Sequence, residues 1–399
     1  MQRQRGLRLA FIFAIIVSAG TINTKAFQFP KVKFVGLSHA DKYDGNEPKE
    51  RIKKGSEETA SLRRSLEKHC KFDVLIHWEP QVTESYEVAE VIFREVANSD
   101  KSECAISFPC MRRPADLENL SSVLQSNKFK QILRFGLVEC ELYPSSPAPY
   151  IYIKFDRSFN GDDGTDEHSY LSESAASSTL AWLNNFLGKY HLCPYTSSAS
   201  RAAIGLSSVG VPVGKVHIQV AEPTNIRSDN AHKAARLVSA FWTEVVTLMK
   251  SSQDEWATSL VVFAEYDDDF LSFAQVCDDL IESTVVATQA TEFIGKAWFH
   301  PQYDADKVGH TDVVAGHAVP HKMVEGFMNS LNVEELAYDE LARANNLVRK
   351  TPHATINILR RSQLKAAAEY EKGLGTRRPK PNSIYVRNVI RLSNEITSI

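Results

Sequence analysis

Two corners of the chain carry the residue types that do chemistry. The first is H-L-C-P-Y, His191 to Tyr195, where Pro194 cannot continue a helix and pushes Cys193 into a bend. The second is A-W-F-H-P-Q-Y, Ala297 to Tyr303, where an apolar run ends at His300 and Pro301. A thiol with a histidine in reach makes an activated thiolate nucleophile. A histidine is also the side chain best suited to general acid or base work near neutral pH. Cys193, His300 and Tyr303 are therefore the catalytic candidates, at the ends of elements, where function is commonly grafted. The bland reading stands beside each: a buried small thiol for Cys193, a strand-end hydrogen bond for His300. A metal alternative takes His191, Cys193 and His300, with His310, His317 or His321 as further ligands, since imidazole and thiolate suit zinc or iron. It is not favoured, because the six cysteines contain no C-x-x-C pair and His317 and His321 straddle Pro320. On the substrate side, Arg349, Lys350 and Arg360 are the residues to hold a carboxylate or phosphate, while Arg377 and Arg378 read as a solvated rim.

The chain that must position these residues has 399 of them, 43% hydrophobic and 24% charged, which is ordinary for one or two globular domains. A net charge of -3 and the lack of basic residues interleaved with aromatics argue against nucleic acid as a partner; a small molecule is expected instead. The glycine stretch I-G-L-S-S-V-G-V-P-V-G has neither G-x-G-x-x-G nor G-K-[ST], so no nucleotide is implied and the cofactor stays unknown. Residues 1–26 read as a signal peptide, with a basic start and an apolar run too short for a confident membrane span. The small residues Thr24 and Ala26 suit cleavage before Phe27. Residues 27–58 are polar, without periodicity, and read as a transit or disordered linker. The F-Q-F-P after the cleavage point resembles the bipartite leaders of algae with complex plastids, which implies a plastid protein; plain secretion is the alternative.

Residues 59–159 alternate helix and strand. The pattern predicts a helix over 61–70, the strand F-D-V-L-I-H-W, a helix over Glu84–Ala97, the strand A-I-S-F, a helix opened by Pro114, and two closing strands. This is a small α/β domain without a catalytic signature, and a surface for a protein partner. Residues 160–178, acidic and then Ser-rich, read as a linker; D-D-G-T-D-E lacks EF-hand spacing. Residues 179–399 begin with an amphipathic helix. They continue as strand (K-V-H-I-Q-V-A), helix (230–250), strand (S-L-V-V-F-A), helix capped by Asp267 or Asp268, strand (E-F-I-G-K-A-W-F-H), a helical insertion at about 318–348, strand (A-T-I-N-I-L), and helices over 363–372 and 383–394. The expected class is α+β, a ferredoxin-like sheet with helices on one face.

The order W-x10-C-P-[FY], a T-[TS]-L-V-V strand, D-F-x-x-F and F-H-P-x-Y resembles the bacterial-type family called domain of unknown function 1415, over about residues 177–397. Trp182, Cys193, Pro194, Thr258, Asp269, Phe270, Phe273, Phe299, His300, Pro301 and Tyr303 carry the likeness, with A-T-I-N-I-L-R-R and Y-V-R-N-V-I-R-L. The chain departs from the family at Phe263, where the family has a His, and in R-K-T-P-H-A-T-I-N, where Arg349 and Asn357 replace an Asn and a His. The family brings no established reaction. The expectation is a soluble small-molecule enzyme or ligand-binding protein using the Cys193 and His300 corners; the alternative is a non-catalytic assembly factor.

Overall fold

The computed structural model describes residues 75–79, 81–98, 103–108, 111, 113–132, 139–143, 150–154, 168–187, 195–221, 230–309, 338–373 and 392. The expected leader, the helix at 61–70, the one at 383–394 apart from residue 392, and the start of the insertion lie outside them. The first half runs β1 (Leu75–Trp78), α1 (Ser85–Asn98), β2 (Glu103–Ser107), α2 (Pro114–Leu124), α3 (Asn127–Ile132), β3 (Glu139–Tyr143) and β4 (Tyr150–Lys154). In α1, Val88, Ala89, Ile92, Phe93 and Val96 recur at helical spacing, and all are buried. Glu87 reaches back over the start of this helix and accepts from the backbone N–H groups of Thr83 (3.0 Å) and Glu84 (3.1 Å).

The second half opens with α4 (His168–Trp182), a π turn (Leu183–Leu187) and the small hairpin β5 (Thr196–Ser198) and β6 (Arg201–Ala202). Then come β7 (Lys215–Val220), α5 (Asn230–Lys250), β8 (Trp256–Val262), α6 (Phe270–Gln275), a π segment (Val276–Ile281), α7 (Glu282–Ala287) and β9 (Ile294–Phe299). It closes with α8 (Tyr338–Val348), β10 (Thr355–Arg360) and α9 (Arg361–Gly373). The Ser/Ala run before Thr179 is helical rather than a linker from His168 onward. Its small residues permit a helix, and Ala175 and Thr179 bury one side of it. The cap of α6 is Asp269, which accepts from the Ser272 N–H at 3.3 Å, and not Asp267 or Asp268.

The two sheets share one topology. The first has the order β1-β2-β4-β3 and the second β7-β8-β10-β9. In each, the first two strands are parallel and the remaining pairs antiparallel. The parallel pairs demand crossovers, which α1 and α5 supply. The α+β class expected from the sequence is thus what is found. The ferredoxin-like detail is not. A helix stands between β8 and β9, so those strands cannot pair as a hairpin, and β10 pairs between them.

The second sheet also carries helices on both faces. Register puts Val261, Ile356 and Trp298 on one face, which buries against α5 and the helices that follow it. Leu260, Asn357 and Ala297 lie on the other. There Leu183, just after α4, and Ala367 of α9 join Leu260 in a second apolar cluster, and Trp182 meets Phe299 edge-on at 6.1 Å. The helices α1 and α5 pack on each other, as do α2 and α7. One continuous core therefore runs from Ile106 and Ile151 of the first sheet to Val261 and Ile356 of the second.

Candidate functional site

Two loops end side by side at one end of the two central strands of the second sheet. One leaves β8 through a short 3-10 turn, Ala264–Tyr266, and delivers Asp267. The other enters β10 through Thr351, Pro352 and His353. They are joined at the backbone, where the Phe263 N–H donates to the Ala354 carbonyl at 2.8 Å. The His353 carbonyl receives the hydroxyls of Thr351 (2.6 Å) and Thr355 (2.8 Å). The Asp267 carboxylate then takes two bonds from the same stretch: Oδ1 from the Ala354 N–H at 2.8 Å, and Oδ2 at 2.6 Å from Nδ1 of His353. A carboxylate only accepts, so Nδ1 carries the proton and Nε2 presents a lone pair.

That lone pair meets Ser178. Its Oγ lies 2.8 Å from Nε2 of His353. The hydroxyl has a second acceptor, the Ala175 carbonyl one turn back in α4, at 3.0 Å. With His353 neutral, the hydroxyl hydrogen belongs to Nε2. With the ring protonated, Nε2–H donates to Oγ and the hydroxyl turns to Ala175. The row hydroxyl, imidazole, carboxylate has the order and spacing of a nucleophile, its base and the group that orients the base. The His353 and Asp267 side chains keep 21% and 27% of their surface exposed, so the row is reachable from solvent.

Sequence reasoning singled out none of these three. In the sequence Asp267 reads as a helix cap, residue 178 as linker, and His353 stands unmarked inside T-P-H-A. The signal is weak because the partners lie 86 and 175 residues apart. Only His353, a titratable residue just after a proline and just before a strand, offered a local cue.

His300, flagged by the sequence, stands immediately behind the row. It is fully buried between Phe270 (5.1 Å) and Phe273 (5.5 Å). Its Nε2 donates to the Tyr266 carbonyl at 2.8 Å, and its Nδ1 accepts from the Gln302 N–H at 3.0 Å. Burial pulls its pKa below the ordinary value, against the carbonyl and the nearby aspartates, which hold it up. Tyr303 is also buried, and burial pushes its hydroxyl up.

The three basic residues named for the substrate part company. Arg349 is buried, its guanidinium over the rings of Trp298 (5.1 Å), Phe299 (5.3 Å) and Tyr303 (4.9 Å). Arg360 is buried too, and donates to the carbonyls of Leu248 (2.5 Å), Ser251 (2.8 Å) and Trp256 (3.1 Å), closing the end of α5. Lys350 alone is exposed. Cys193, His191, His310, His317 and His321 lie outside the described residues, as do Arg377 and Arg378. Among the described residues no three His, Cys, Asp or Glu side chains form a group that could hold a metal ion, and no helix is long and apolar enough to cross a membrane.

Fold and site together define a two-sheet α+β protein with a hydroxyl–imidazole–carboxylate row at the ends of the central strands of its second sheet. Within it, residues 174–315 match the family model described as protein of unknown function DUF1415. The match contains Ser178, Asp267, His300 and Tyr303 and stops short of His353. No curated protein and no solved structure matches the chain.

Proposed function

We propose that this protein is a small-molecule enzyme that hydrolyses an ester-type bond, with Ser178 as nucleophile. The observation that carries the reading is the pair of distances 2.8 Å (Ser178 Oγ to His353 Nε2) and 2.6 Å (His353 Nδ1 to Asp267 Oδ2). Ser178 Oγ attacks the acyl carbon and its proton passes to Nε2 of His353. Asp267 holds the imidazolium that results. The leaving alkoxide takes that proton and departs as alcohol. Water, deprotonated by His353, then attacks the acyl-serine and releases the acid with Ser178 restored. Lys350, exposed on the loop that leads to His353, is the one of the three named cations left to meet an acidic group of the substrate. The leader read from residues 1–58 would place this activity in the plastid, which a fluorescent fusion to that segment tests.

The direct test of the chemistry is covalent labelling of the purified protein with a fluorophosphonate, followed by peptide mass spectrometry. A single adduct on Ser178 is expected, lost in Ser178→Ala and in His353→Ala. A folded wild-type protein that takes up no probe at Ser178 overturns the reading.

A further inference from the structure

We infer that His300 is the residue that holds the Ser178 site in register: it ties the loop bearing Asp267 to the loop bearing His353, as a positioning residue and not as the acid or base. This rests on the ester-hydrolysis reading and adds to it the device that keeps its parts aligned.

Four bonds make the tie, three of them to His300 itself and one through Gln302. The His300 backbone N–H donates to the Arg349 carbonyl at 3.1 Å, at the head of the loop that reaches His353. Its Nε2–H donates to the Tyr266 carbonyl at 2.8 Å, one residue before Asp267. Its Nδ1 accepts from the Gln302 N–H at 3.0 Å, which fixes the tautomer, and the Gln302 side chain donates in turn to the Asp267 carbonyl at 3.1 Å. The carbonyls on either side of the Asp267 N–Cα unit, those of Tyr266 and Asp267 itself, are thus both held from one corner. His300 directly follows β9, a strand hydrogen-bonded along its length to β10, so the anchor is tied to the sheet.

The same contacts take His300 out of proton transfer. Both ring nitrogens are engaged, the ring is walled by Phe270 and Phe273, and the residue has no exposed surface. A buried carbonyl deprived of its donor there has no water to replace it. Imidazole is suited to the task because it donates from one ring nitrogen and accepts at the other along fixed, divergent directions.

The test uses full-length protein and two independent readouts. One is the rate of fluorophosphonate labelling at Ser178. The other is the far-downfield proton resonance of the Nδ1–H held between His353 and Asp267. His300→Asn keeps an acceptor for the Gln302 N–H and cuts the bond to Tyr266. It should fold, label slower by about tenfold or more, and lose or broaden the downfield proton, because small misplacements of reacting groups carry large rate penalties. Gln302→Ala touches an exposed side chain, cannot threaten folding, and should slow labelling by a smaller factor in the same direction. A folded His300→Asn protein with wild-type labelling and an intact downfield proton overturns the inference. If His300→Asn does not fold, an unchanged rate and resonance in Gln302→Ala overturn it. If wild type is never labelled, the nucleophile reading has failed, and the downfield proton alone decides the role of His300.

Discussion

At the scale of single residues, a buried charge among the described residues can serve the fold and not the chemistry. Arg360 shows why. Its guanidinium lies where α5 ends, and a helix end leaves carbonyls without intrahelical donors. Leu248 in the last turn and Ser251 just past it present such carbonyls, and Arg360 donates to both as well as to the Trp256 carbonyl at the start of β8. Its positive charge also complements the negative end of the helix dipole. Burial lowers its pKa, yet a guanidinium has far to fall before it gives up its proton. Arg360→Ala should therefore destabilise the fold by about 2–4 kcal/mol, since several buried acceptors lose their donor together. Arg360→Lys, with one point charge and no fork, should recover only part of that. Urea unfolding of the three proteins measures it, and an Arg360→Ala midpoint equal to wild type would refute the assignment. The sequence could see that Arg360 was a cation beside a strand. It could not see that the strand's end delivers it to a helix terminus 109 residues earlier. Ser178, His353 and Asp267 were hidden for the same reason. Each is ordinary in its local context, and only the sheet brings them together.

At the scale of elements, the sequence was far more legible. The helix over Asn230–Lys250, the one opened by Pro114, and the strands that close each half were all marked by periodicity, caps or proline. What periodicity could not give was strand order, because β10 inserts between β8 and β9 and pairs with β8 across nearly 100 residues of sequence, where the Thr258 hydroxyl also donates to Asn357 Oδ1 over a separation of 99. It also misjudged α4, whose Ser-rich run reads as linker until its buried side is known. The start of α1 gives a prediction that belongs to this scale. Burial alone would raise the Glu87 carboxyl, but the N–H groups of Thr83 and Glu84, with Lys250, outweigh it and hold the pKa below its ordinary 4.5. The folded pKa lies below the unfolded one, so the carboxylate's stabilisation is present in full above about pH 4.5 and is lost as the pH falls through the folded value. Glu87→Gln should cost about 1 kcal/mol at pH 7, in the range of a helix cap, and progressively less as the pH falls through the folded value. Denaturant midpoints of the two proteins over an acid pH series test this; a gap that does not shrink at any acid pH would assign the effect to packing instead of charge.

At the scale of the whole molecule, the repeated strand order raises the question of whether two like halves fold as two units or one. The packing answers for one. The helices that cross over each sheet, α1 and α5, bury against each other, and the second-layer helices α2 and α7 do the same. Polar bonds cross the same boundary: Ser85 Oγ donates to the Thr288 carbonyl at 2.6 Å, Gln289 donates to Asp116 at 2.9 Å, and Lys250 pairs with Glu87 at 3.2 Å. Neither half can open without exposing the apolar face of the other, so local loss should become global loss. Ile106 tests this from the far side. It has no exposed surface, lies in the first sheet, and makes no part of the Ser178 site. Ile106→Ala should destabilise by about 2–5 kcal/mol, the range for truncating a buried aliphatic residue. Under one cooperative transition, the slow amide exchange of Leu260 and Ile358 in the second sheet should accelerate by the same factor as that of Ile106's own strand. If the second sheet keeps its protection while the first loses it, the halves unfold separately and the shared core does not couple them.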